Sequence, residues 1–588
     1  MDIMKKIFYF CVLFFLGAPL FAADLDKEIN SMMGKYALFE ITNSYMVMLE
    51  TLYPERATRA GFEIANTMLD ERSQKADGQR RDALAQIKVK LSKVKKKKLT
   101  HSEKTDYEII SRTLAFDNYL LNKRLFETSP LYYLEAQDAV YDIMLKQINS
   151  IRQFKEVQPR LTKLPDVFIA GVNNIPSASK TESALAINKA YAAYTSISDY
   201  EDFLKKNADD AVDRTKLQLL LNAKKAALRE FFNYIKALNE NAKKVTNKND
   251  SDYRILLKNS LHLDKTPEEL TKTAEAAIKK SKSNLILMIS AITGKEKAEI
   301  KDFYNIEAKD KTAPDYPYLL KTVGDEIENA NKAMKGVLPA SEMRVFVNHM
   351  PQYPSFLNPV YMFLPPYGIE HNLIGTLFIY TPQDNPRART SHINKNFNMS
   401  RIKMLVTESV VPGRQMFYSY SYDTKPIRRI LASNAMVDGW AVYAKHLAFE
   451  VGYLSSKEDA LYLSYEDYAR AVKALADIKY NTKQLDYDET ALFIVSQGIK
   501  KEEAEIMTRQ IAFNPGQVVA ELAAYEEIKR QRSKYETIFG KDFSLASFHN
   551  KIFTIGKIPL SMLDSELMEE YKKEKRPGLK VYKPTADL

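Results

Sequence analysis

The chain has 588 residues, 45% of them hydrophobic and 27% charged, values near the globular average that exclude a disordered, collagen-like or coiled-coil-only protein. Glycine is scarce, 18 in all, which argues against an all-β chain or a glycine-loop nucleotide binder, since both need residues tolerant of positive φ. Length allows two to four domains or one large helical body, and the expected class is mainly α.

The first 23 residues read as a secretory signal: Lys5 and Lys6 form a positive start, Ile7 to Phe21 an apolar stretch, and Ala22-Ala23 a small-residue cleavage site. The stretch is short for a membrane span and Pro19 breaks it, so no integral span is expected after cleavage; an uncleaved anchor is the alternative. The only cysteine, Cys11, lies in this segment without the small-residue context of a lipoprotein acceptor. The mature chain then has no cysteine, which excludes disulfides, thiolate metal sites and cysteine nucleophiles. Loss of Lys5, Lys6 and Asp2 lowers the formal net charge from +11 to +10. Lys93 and Lys95 to Lys98 form a basic knot before Thr100-x-x-Glu103, a capping-box start. These lysines lack aromatic or arginine neighbours, so a solvated turn is expected rather than a nucleic-acid patch; contact with an anionic envelope surface is the alternative.

From about residue 24 to residue 342 the sequence is a succession of amphipathic segments. Phe116, Tyr119, Leu120 and Leu125 recur at helical spacing, as do Leu217, Leu220, Leu221, Leu228 and Phe231, and both sets read as core stripes. No repeat of fixed period stands out. A different region spans 343–397. Arg344-Val-Phe-Val-Asn348 alternates like a strand, Leu377 to Tyr380 is a second short apolar run, and 7 of the 23 prolines fall between Pro351 and Pro386. Proline suits neither a helix interior nor a central ladder, so a small, irregular, edge-rich β insert is expected. Helical periodicity resumes near Asn398 and covers 398–588, with the tail from Lys572 expected to be loose. Residues 343–588 are expected to form one body with 24–342.

After the insert comes Lys403-Met-Leu-Val-Thr-Glu-Ser-Val-Val-Pro-Gly-Arg-Gln-Met416. It resembles the signature segment of the bacterial domain-of-unknown-function 885 family, zinc-metallopeptidase-like proteins whose motif reads His-Glu-x-x-Pro-Gly-His. Three more segments match in order: Asp438-Gly-Trp-Ala-Val-Tyr-Ala-Lys445, the stretch from Arg470 to Thr482, and Asn514-Pro-Gly-Gln517. The resemblance covers about 120 residues closely and the helical N-terminal half more loosely. It implies a large multi-helix, zincin-like or peptidase-like body.

The chemistry that the resemblance implies does not carry over. Aligned on Pro412-Gly413, Glu408 replaces the first motif histidine, Ser409 the glutamate base and Arg414 the last histidine. A hydrolytic zinc needs about three ligands, an open position and a nearby base. Ser409 is no such base, and Arg414 stays protonated and offers no lone pair. Elsewhere Asp438 shortens the family's acidic residue, Lys445 replaces a glutamate, Asn481 a histidine, and Glu521-Leu522 a Tyr-Lys pair. Pro412, Gly413, Gly439, Trp440, Tyr443, Asp477, Pro515, Gly516 and Gln517 keep the pattern. A one-residue gap would place Thr407-Glu408 under His-Glu and recover the base but neither histidine. Glu408 as an ordinary helix-surface residue is the plainer alternative.

The histidines are His101, His262, His349, His371, His392, His446 and His549, with no pair spaced His-x-x-x-His. His446 and Glu450 stand at i and i+4, a solvated face or two metal ligands. No metal or other cofactor is therefore expected, zinc included. Arg414 is expected to pair with Glu408 or Asp438, supplying positive charge where the family holds metal. The cleft candidates are Trp440, Tyr443, His371 and Gln517. The function expected is that of an exported, catalytically inactive binding or scaffold protein of the cell envelope, periplasmic or secreted, with a peptide or envelope-protein partner and no nucleic acid. The alternative is an active hydrolase or peptidase with a non-standard site, with or without metal; a metal-free one using Ser409 or Tyr443 has no base that the sequence assigns.

Overall fold

The computed structural model describes residues 19–573 except 147–149, 208–213, 243–250, 308–314, 340–343, 367, 370–372 and 384. The expected signal lies almost wholly outside these residues, as do Cys11 and His371, and Ala22 and Ala23 fall at the start of the first described helix, Pro19–Leu52. Among the described residues no helix is long and apolar enough to cross a membrane.

The chain is mainly helical with one three-stranded sheet. Local chemistry explains the better-read boundaries. Helix His101–Lys123 starts at a capping box in which Thr100 Oγ1 accepts from Glu103 N at 3.3 Å and Glu103 Oε2 accepts from Thr100 N at 2.8 Å. It ends where Arg124 turns left-handed, so Leu125 belongs to the next, short helix. Its inward stripe is Ile110, Leu114, Asp117 and Leu121. The expected Phe116, Tyr119 and Leu120 are only half-buried, because Asp117 is drawn inward by Tyr45 Oη at 2.6 Å and Arg56 Nη1 at 2.9 Å. The second expected stripe is buried at Leu217, Leu221, Leu228 and Phe231, with Leu220 half-buried. Lys95 to Lys98 form an exposed turn.

In the proline-rich region β1 is Val345–His349, β2 Tyr361–Leu364 and β3 Gly375–Ile379, in the order β1-β3-β2. β1 runs parallel to β3 (Val347 opposite Leu377) and β2 antiparallel to it (Phe363 opposite Leu377). The apolar run at Leu377 is thus the central, fully buried strand, and the prolines lie outside it where no ladder bond is lost. The end of the expected insert is helical instead: Pro386–Asn396 is a helix because Pro386 occupies its first position and Asn385 Oδ1 caps Ala388 N at 3.0 Å.

Three hydrophobic clusters hold the body together. One gathers residues from Leu38 to Leu121, with Ile427 and Ala432. A second runs from Tyr133 to Ile235 and a third from Tyr253 to Tyr571. The sheet separates the latter two: Leu377 and Ile379 of β3 face the third, and Phe378, on the opposite face, joins the second. Eight helices of the third cluster position the site: α1 (Pro267–Thr293), α2 (Met399–Ser409), α3 (Arg414–Tyr420), α4 (Ala435–Glu450), α5 (Lys457–Asn481), α6 (Lys501–Phe513), α7 (Gln517–Phe539) and α8 (Leu545–Ile555). α1 packs along α5 and α4 along α7.

Candidate functional site

The segments that match the family pattern interlock. A Cβ on Gly413 would stand 1.9 Å from the Glu408 carbonyl oxygen, so only glycine lets the chain leave α2 and enter α3 so tightly. The preceding carbonyl, of Pro412, accepts Trp440 Nε1–H at 2.7 Å, which ties the first segment to the second. A Cβ on Gly439 would lie 2.3 Å from Ala524 Cβ; its absence lets α4 and α7 approach. Asp477 accepts Gly516 N–H at 3.0 and 2.9 Å and Tyr253 Oη–H at 2.8 Å, tying the third segment to the fourth. Burial pushes the Asp477 carboxyl up to about 7 against those hydrogen bonds.

On this frame stands a chain of charges. Arg414 Nε reaches Asp438 Oδ1 at 3.1 Å and its Nη1 reaches Glu408 Oε1 at 2.7 Å. Lys445 Nζ bridges the other Glu408 oxygen at 2.5 Å to Glu466 at 2.6 Å. Beside them Arg470 pairs with Glu521 at 2.6 Å and Asp467 at 2.9 Å. Burial alone would raise Glu408, but Lys445 and Arg414 override it and hold its carboxyl well below the usual range. Burial pushes Asp438 up, opposed by Arg414. Burial would likewise lower Lys445, whose side chain is 1% exposed; Glu408 and Glu466 raise it instead.

Apart from Asp467, these groups form the floor of a cleft of about 750 Å³ that is also lined by β2, the segment before it and α6. Tyr361 of β2 faces the floor, and burial followed by the nearby Glu408 and Glu466 pushes its phenol far above its ordinary value. Lys473 Nζ donates to Gln510 Oε1 at 2.7 Å, linking α5 to α6.

Of the residues singled out in the sequence, Glu408, Arg414, Asp438, Glu521 and Gln517 line this cleft. Ser409 does not: it is fully buried and its Oγ has no hydrogen-bond partner. Asn481 lies beneath the floor, donating to Asp477 Oδ1 at 3.0 Å. Trp440 is no cleft residue either, being fully buried against Phe553 and His549. Tyr443 turns away toward a separate cavity. Its hydroxyl donates to His549 Nε2 at 2.8 Å and accepts from Arg532 Nη1 at 3.0 Å, while His549 Nδ1 donates to Val337 O at 2.7 Å. His446 and Glu450 diverge, toward Asp467 and Arg532 respectively. Sequence reasoning passed over Glu466 and Tyr361, gave Arg470 no role beyond opening a matching segment, and took Lys445 only as a lost acid. The i, i+4 spacing of Glu466 and Arg470, beside a matching segment, was the available signal.

Zinc does not fit this donor set. Both Glu408 oxygens and one of Asp438 are engaged by cations, Ser409 Oγ is sealed off, and Arg414 has no lone pair. Among the described residues no three His, Cys, Asp or Glu side chains are grouped to hold a metal ion.

Comparison with curated proteins finds no match. Two solved structures share the fold. One is a candidate lipoprotein of unknown function from Shewanella oneidensis, 18% identical, with a TM-score of 0.72 over 90% of this chain and 99% of that one. The other is a candidate lipoprotein from Colwellia psychrerythraea, 16% identical, with a TM-score of 0.75 over 91% of this chain and 99% of that one. The sequence profile described as "Bacterial protein of unknown function (DUF885)" matches residues 54–567, nearly the whole length, and the chain belongs to that family.

Proposed function

We propose that the protein is an exported, metal-free, non-catalytic member of its family whose cleft holds a peptide or a segment of a cell-envelope protein. The observation that carries this reading is the Arg414 guanidinium bridging Glu408 and Asp438 at the centre of the cleft. It occupies the carboxylates that a metal or an attacking water would need. The cleft keeps the size and mixed lining of a ligand site, with Tyr304, Tyr361, Met362 and Phe363 beside the charged floor. Export to the periplasm or beyond is supported by the leader-like start and by the two solved relatives, both described as candidate lipoproteins.

A hydrolase working through Ser409 is the weaker reading, because that hydroxyl neither reaches the cleft nor meets a base. The deciding experiment immobilises the mature protein, passes a defined peptide mixture over it with and without added zinc, and analyses bound and unbound fractions by mass spectrometry. Retention of a subset of intact peptides in both conditions is expected. Cleavage products that vanish with a chelator overturn the reading.

A further inference from the structure

A second cavity, of about 640 Å³, adjoins the cleft and shares Tyr418, Asn434, Asp438 and Gln517 with it. Among the described residues its wall carries five cations, Arg56, Arg59, Arg428, Arg429 and Lys557, and one carboxylate, Asp438. Three of the cations are matched by acids outside the cavity: Arg56 by Asp117 at 2.9 Å, Arg59 by Asp142 at 2.8 Å, and Arg428 by Asp106 and Glu566, each at 2.9 Å. Asp438 is engaged by Arg414.

Arg429 and Lys557 have no such match: among the described residues neither has a carboxylate within 4.0 Å. The Arg429 guanidinium lies over the Tyr422 ring at 4.8 Å, and its Nε and Nη1 are shielded from solvent without an acceptor. Lys557 is 8% exposed and donates to Asn434 Oδ1 at 3.0 Å. Burial lowers its ammonium to about 8 despite the pull of Asp438, as expected where no counter-ion is in contact. The start of α4 adds to the same field. Ser433, Asn434 and Ala435 line the cavity; Ser433 Oγ accepts from Ala435 N–H at 3.1 Å, and Asn434, the N-cap residue, makes no capping bond.

A buried ammonium and a half-buried guanidinium with two shielded N–H groups, neither with a carboxylate within 4.0 Å among the described residues, face a solvent-sized space beside a helix start, an arrangement that is costly unless something negative enters. We propose that this cavity is an oxyanion-binding site, which takes a carboxylate or phosphate group whose charge is matched by Arg429, Lys557 and the first turn of α4. The shared mouth at Asn434 and Gln517 gives the anion two sources, a free phosphate or the carboxylate end of a peptide lying in the cleft. The inference does not depend on the cleft being non-catalytic.

The test is calorimetric titration of the mature protein with inorganic phosphate and, separately, with N-acetyl-dialanine, in chloride buffer at fixed ionic strength. Saturable binding of either probe is expected, and the tighter one identifies the source. Arg429→Gln and Lys557→Met should each weaken it by about tenfold or more, the usual worth of a charge-assisted contact. No saturable binding of either probe, or unchanged affinity in both folded variants, overturns the site. A variant-free readout runs beside it: phosphate should raise the wild-type melting temperature above that in chloride of equal ionic strength, and equal temperatures count against the site.

Discussion

At the scale of single residues, Arg414 organises the cleft because it joins Glu408, whose other oxygen is held by Lys445, to Asp438, which has no other ion pair among the described residues. Its side chain is 19% exposed, so Arg414→Ala should cost somewhat less than a fully buried pair, about 2–4 kcal/mol, read by thermal or urea unfolding. An unchanged melting temperature would remove Arg414 from its central place. Glu408 adds a pH dependence of known sign. Its carboxyl is held below the ordinary 4.5, so its ionised form stabilises the fold above that pH and the contribution is lost as pH falls. The stability gap between wild type and Glu408→Gln should therefore be widest near neutrality and shrink on acidification below pH 4.5; a gap that grows in acid contradicts the ion-pair account. Ser409 gives the opposite expectation. Removing a buried hydroxyl without a partner relieves a desolvation penalty, so Ser409→Ala should leave stability unchanged or raise it by up to about 1 kcal/mol. A marked loss of stability would mean that the hydroxyl has a partner in solution.

At the scale of elements, close helix contact governs the site more than any polar group. Gly439→Ala must push α7 from α4, since the new methyl would meet Ala524 and the α7 backbone. A loss of about 1–3 kcal/mol in urea unfolding is expected, with the cleft floor displaced; wild-type stability would show that the helices tolerate a wider spacing. The four matching segments were legible in the sequence because prolines, glycines and a lone tryptophan mark tight turns and close crossings. Their joins were not. Trp440 reads as a cleft residue until Pro412 O is seen to accept its indole N–H in the core. The helix Pro386–Asn396 was lost among prolines although Asn385-Pro386 is itself a start signal.

At the scale of the whole molecule, the ion chain spans α2, α3, α4, α5 and α7, and two adjoining cavities share Asp438, Asn434 and Gln517 as lining. A protein whose centre is held by ion pairs rather than by a metal should melt at the same temperature with a chelator, without one, and with added zinc. A chelator-induced fall would locate a bound metal that the charge chain leaves no room for.

The sequence by itself determined the helical class and the strand-bearing proline region, since these follow from local periodicity and backbone restrictions, while its resemblance to the family implied that Glu408, Ser409 and Arg414 stand where the motif has two histidines and a glutamate. The tertiary structure decided which side chains share the cleft. Lys445 finds Glu408 across 37 positions and Arg470 finds Glu521 across 51, while Tyr443 and Trp440, only a turn from the floor, are packed away from it. Such pairings depend on helix spacing and rotation, set by the Gly439–Ala524 crossing and the Asp477–Gly516 tie, and no pattern within one segment encodes them. The cation-walled cavity is of the same kind: Arg429 and Lys557, neither with a carboxylate within 4.0 Å among the described residues, come to one wall from distant segments of the chain.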